Sequence, residues 1–145
     1  MNENMELVKY LYKVNEMGYL STKSLINNLK NRENKIKHVL EMELKEYEKF
    51  MKECEKILNK NSLKLNKNSI MTKMSSNLGI MVETMKDNSD SAIASMLIEG
   101  FTMGRTELES KISKYKSVCE RKYINIAKKI KKFHDNEIRK LSEYI

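Results

Sequence analysis

The stretch Ser89 to Gly104, SDSAIASMLIEGFTMG, constrains the fold more than any other part of the chain. From Ala92 to Met103 nearly every side chain is apolar or small, and Glu99 is the only charge. A surface helix keeps a polar face, whereas a helix that is apolar almost all round needs cover on several sides. The pattern therefore predicts that this is the most enclosed helix of the fold. An unpaired buried carboxylate is costly, so an enclosed Glu99 must be neutral, paired, metal-bound or at a packing edge. Asp87-Asn88-Ser89-Asp90 is dense in N-cap residues and should start this helix, and Leu108, Ile112 and Tyr115 carry it to about Val118.

Other segments supply the cover. From Met5 to about Leu29, apolar residues recur at Leu7, Leu11, Val14, Leu25 and Leu29, the three-four spacing of a helical stripe. Gly18 and Ser21 fall on the same stripe, and Gly18 leaves room for a close neighbour. Asn27, Asn28 and Asn31 then weaken the helix and predict a turn. A second helix is expected from about Glu33 to Leu58, with Ile36, Leu40, Glu43, Tyr47, Phe50 or Met51, Cys54 and Ile57 inward. Asn59 to Ser69 reads as a linker. Ile70 to Lys86 reads as a shorter helix with Met71, Met74, Leu78, Met81 and Met85 on one side. The last helix, about Glu120 to Ile145, has the stripe Tyr123, Ala127, Ile130, His134, Glu137, Leu141 and Tyr144.

These pieces predict an all-α fold in a single domain of 145 residues. The chain has no Pro and only 4 Gly, which leaves little turn chemistry for sheets. If the short helix crosses back along the others, the four long helices form a bundle with one long crossover connection.

At this point the chain resembles the ferritin-like superfamily, in particular small helical-bundle proteins of low-GC Gram-positive bacteria. The resemblance rests on Glu16-Met17-Gly18, on Glu43 with Tyr47, on Ser89-Asp90-Ser91 with Ala94 and Met96, and on Gly100 with Met103-Gly104. It implies a four-helix bundle and no particular activity. Metal-active ferritin-like proteins use a Glu from each of two helices and Glu-x-x-His from each of the other two. This sequence departs from that pattern. Its second helix offers Glu43-Leu-Lys-Glu46 without a histidine, and its last helix offers His134-Asp-Asn-Glu137 in reversed order. Glu16 lies about two residues off the apolar stripe.

Depth nonetheless draws the inward polar residues together. Glu43 lies ten residues after Glu33, Glu99 ten after Ser89, and His134 ten before Tyr144. At about 1.5 Å per residue all three sit about 15 Å below one end of the bundle. Two readings follow. Glu43, Tyr47, His134 and Glu137 form a buried hydrogen-bonded network that sets register. Alternatively Glu43, Glu99, His134 and Glu137 hold iron or another divalent metal in a degenerate site. His38 falls beside its stripe, near a helix end, and reads as a surface residue.

The 11 methionines invite the same comparison. Met81, Met85, Met96 and Met103 either fill space around Gly18, Gly79, Gly100 and Gly104, or line a soft metal site, grip a haem or form an adaptable groove for a partner helix. Cys54 and Cys119 fit no metal or redox spacing and read as free thiols in a reducing compartment. Without a signal peptide or a spanning segment, a cytoplasmic location is expected. The net charge of +8 fits a lysine-rich solvated surface, and also attraction to nucleic acid or an anionic membrane. The densest cluster is Lys128, Lys129, Lys131 and Lys132, without the alternating aromatics of a single-strand platform.

Phosphate loops, nucleophile elbows and Cys/His pairs are absent. The sequence thus predicts a non-enzymatic bundle that self-associates or docks a helical partner through an apolar, methionine-rich face. A metal-binding protein, either a di-iron oxidase or a metal store, is the alternative and the one route to an enzyme.

Overall fold

The computed structural model describes residues 2–65 and 86–145. Helices α1 (Glu3–Asn28), α2 (Lys37–Lys60), α3 (Asp90–Tyr115) and α4 (Arg121–Ser142) form an all-α four-helix bundle, with no strand among the described residues. The first helix is capped by Asn2, whose side chain accepts from Met5 N at 2.9 Å. At α3 the expected cap is in place: Ser89 Oγ accepts from Ala92 N at 3.2 Å. The second helix begins four residues later than the spacing predicts, because residues after the asparagine run form a turn that ends with Ile36 buried. The expected crossover helix, Ile70 to Lys86, lies outside the described residues except for Lys86 itself.

The bundle is two antiparallel hairpins, α1 with α2 and α3 with α4, laid against each other. Polar ties fix both ends. At one end Asp90 accepts from Asn34 Nδ2 and from Lys35 N, each at 3.0 Å, joining the start of α3 to the α1–α2 turn. At the other end Asn4 and Glu120 bond reciprocally: Glu120 N donates to Asn4 Oδ1 at 2.8 Å, and Asn4 Nδ2 donates to Glu120 Oε2 at 3.0 Å. The chain therefore leaves α2 at one end of the bundle and enters α3 at the other.

One apolar core runs through all four helices, from Leu7, Leu11 and Leu25 in α1 to Ile130 and Leu141 in α4. Its middle is aromatic. Tyr47 meets Phe133 edge-on at 5.2 Å between centroids and stacks with Phe101 at 6.4 Å. Phe101 and His134 meet edge-on at 5.1 Å.

The expectation that Ser89–Gly104 is the most enclosed helix is not met. Nine residues of α1 and nine of α4 are buried, against five of α3: Ile93, Ala94, Phe101, Leu108 and Tyr115. In a bundle of four, every helix keeps an outward side. The second apolar face of α3 is left partly open, and Met103 is 69% exposed.

Candidate functional site

That open face of α3 borders a cleft. A cavity of about 310 Å³ lies between α1 and α3, with α2 and α4 beneath it. Val14, Met17, Met96, Leu97 and Met103 make its apolar sides, and Glu43, Tyr47 and His134 lie at its floor. Missing side chains create the space. A Cβ on Gly100 would meet nothing within 4 Å. By contrast, a Cβ on Gly18 would collide with the Tyr47 ring, and one on Gly104 would stand 2.8 Å from His134 Cε1. Gly18 and Gly104 thus let two floor rings press against the flanking helices, while Gly100 opens the mouth.

The floor is polar and unsatisfied. Glu43 is 1% exposed and His134 4%, yet neither carboxylate oxygen of Glu43 and neither ring nitrogen of His134 has a hydrogen-bond partner within normal geometry. Burial, with the adjacent Glu137 carboxyl second, pushes Glu43 up to about 10, while Lys140 acts weakly the other way. Glu43 is therefore a neutral acid at physiological pH, the state in which it can share a proton with Glu137. Burial pushes His134 down to about 4, with the Phe101 carbonyl and Asp135 opposing, so its imidazole is neutral. Tyr47 is held well above its usual range by burial, then by Glu43 and Glu137. Glu137 keeps an outlet: its Oε2 lies 3.3 Å from Lys140 Nζ, while its Oε1 is unpartnered.

The structure brings Glu43, Tyr47, His134 and Glu137 together at one depth, as the sequence predicts, but leaves out Glu99, which is exposed. The α3 stripe runs through Phe101, and Glu99 is two residues, about 200°, away from it. Among the described residues no group of three or more His, Cys, Asp or Glu side chains is placed to hold a metal ion. Within the layer Glu137 lies beside Lys140, and His134 packs edge-on to Phe101. Glu16 is buried off the stripe, where Tyr12 Oη donates to its Oε2 at 3.1 Å. The sequence gives no sign of Thr22 and Glu107 in the lining, or of Phe133, which packs against Tyr47 and His134.

His38 is exposed, as expected. Met96 is half-buried and Met103 exposed at the cleft, while Met81 and Met85 lie outside the described residues. The lysine cluster is a solvated face. Lys128, Lys129 and Lys132 are exposed, Lys131 lies 3.7 Å from Glu109, and the α2–α4 groove holding Lys129 and Lys132 also holds Glu46 and Glu53. No helix of the described residues is long and apolar enough to cross a membrane. No family model, no curated protein and no solved structure matches the chain.

Proposed function

We propose that this protein is a binding module whose α1–α3 cleft receives a small, largely apolar molecule that carries one polar head. The observation that carries the proposal is the under-satisfied floor: the side-chain polar atoms of buried Glu43 and His134 make no hydrogen bond of normal geometry and line a cavity with apolar walls. Ligand sites are commonly concave, mostly apolar and fitted with a few convergent polar groups, at volumes of roughly 300–1,000 Å³. Unpaired buried polar atoms cost about 1–3 kcal/mol each, a cost that an occupant able to hydrogen-bond them removes. Methionine walls adapt to the shape of an occupant. The buried Cys54 thiol supports a reducing, cytoplasmic setting for this activity.

Titration with the fluorescent apolar probe 1-aminoanthracene tests the proposal. Saturable binding with a blue-shifted emission is expected. Gly100→Phe, which fills the mouth from a position where a Cβ meets nothing, should abolish it while circular dichroism stays helical. Failure to saturate, or equal binding by Gly100→Phe, overturns the reading.

A second reading uses the same surface. Met103, 69% exposed at the cleft rim, supports self-association in which a neighbouring copy covers the mouth. Light scattering of the wild type and of Met103→Lys separates the two, because only self-association predicts a mass that falls in the variant.

A further inference from the structure

The charges around the cleft say which polar head it takes. The chain carries 28 Lys and Arg, yet among the described residues none lines this cavity. Its ionisable lining is Glu43 on the floor, Glu107 at the edge, and the neutral Tyr47 phenol and His134 imidazole. An anionic head would meet two carboxyl groups and no cation.

The unpartnered atoms point the same way. Once its proton has left, Glu43 presents two acceptor oxygens, and a neutral imidazole presents one acceptor nitrogen. A primary ammonium has three donors and no acceptor, which matches those three positions. The rings of Tyr47 and Phe101 line the same space.

Resting on the binding reading above, we propose that the α1–α3 cleft is a site for a primary amine, its ammonium group against Glu43 and His134 and its apolar body among Met17, Met96 and Leu97. Binding then replaces the proton on Glu43 with the ligand's ammonium, and that proton leaves to solvent. Several groups face Glu43 and shape this exchange. Tyr47 lies on its own helix. From α4 come Glu137, His134 and the more distant Lys140. Glu107 of α3 and Ser21 and Thr22 of α1 line the same cavity. Because each binding event releases a proton, affinity should rise with pH through the neutral range, up to about tenfold per unit.

The test is calorimetric titration with n-hexylamine, n-hexanol and hexanoate at matched ionic strength, in two buffers of different ionisation heat. The expected order places hexylamine about tenfold or more ahead of hexanol, with hexanoate weakest, and about one proton released per amine bound. Glu43→Gln should erase both the preference for the amine and the proton release. If hexanol or hexanoate binds as well as the amine, or if no proton is released, the amine inference fails and the cleft stands as a binding site. If none of the three binds, and 1-aminoanthracene fails as well, the binding reading itself fails.

Discussion

Gly18 on α1 and Tyr47 on α2 are in contact that no larger residue at position 18 permits. A Cβ there would stand 2.8 Å from Tyr47 Cδ1 and nearer still to Cε1 and Cζ. The ring cannot easily retreat, since Phe133 meets it edge-on and Phe101 stacks on it. Gly18→Ala should therefore destabilise the protein by about 1–3 kcal/mol through overpacking. Gly100→Ala, where the new methyl meets nothing, should stabilise it by roughly 0.5–1 kcal/mol by restricting the unfolded chain. Urea unfolding of the two variants checks the pair, and the opposite signs are the result to look for.

The buried acid and base give the fold a pH dependence of defined shape. Glu43 rises from 4.5 to about 10 on folding, so its contribution is full below pH 4.5 and lost as pH climbs toward 10. His134 falls from 6.5 to about 4, so its contribution is full above pH 6.5 and lost as pH drops toward 4. Between 4.5 and 6.5 the two slopes are opposed and cancel, and above 6.5 only the Glu43 decline remains. Its ceiling is about 1.4 kcal/mol per pH unit for one proton. Glu43→Gln removes the decline and uncovers the histidine limb. Stability of the variant should rise up to pH 6.5 and then level off, where the wild type is level and then falls. Thermal unfolding across that range reads the difference.

Much of this was legible in the sequence because period and depth are local arithmetic. The stripes through Leu40, Glu43 and Tyr47 and through Ile130, His134 and Glu137 place the polar layer at the depth where it is found. What stayed hidden was how the hairpins face each other. The apolar run Ala92–Met103 cannot say whether its second face is covered or left open, since that depends on the separation of α1 and α3. Glycine spacing holds part of that information, but only contacts distinguish Gly18, packed under a ring, from Gly100, facing empty space. Glu16 is a similar case: its burial depends on Tyr12 one turn away supplying a donor.

The two thiols should differ sharply in reactivity. Cys54 is fully buried, and burial, with Glu53 second, pushes it up to about 12. Cys119 is half-buried and raised more modestly by burial, then by Glu3 and Glu6. Because the thiolate is the nucleophile, iodoacetamide should label Cys119 in the native protein and reach Cys54 only on unfolding. Mass spectrometry of peptides after labelling, with and without urea, distinguishes the sites. Equal labelling without urea would mean that α2 opens locally around Cys54.

Glu99 supplies the sharpest contrast between pattern and packing. Its neighbours in sequence are apolar, yet its side chain is exposed on α3, about 200° around the helix from Phe101. A solvated side chain keeps its hydration when an amide of the same shape replaces it. Glu99→Gln should therefore change stability by less than about 0.5 kcal/mol, the usual range for surface substitutions away from special features. Glu43→Gln measured in parallel should diverge from wild type between about pH 5 and about pH 8. If instead Glu99→Gln changed stability well beyond that surface range, Glu99 would belong to the buried polar layer, and α3 would be rotated so that its second apolar face turned inward and closed the cleft.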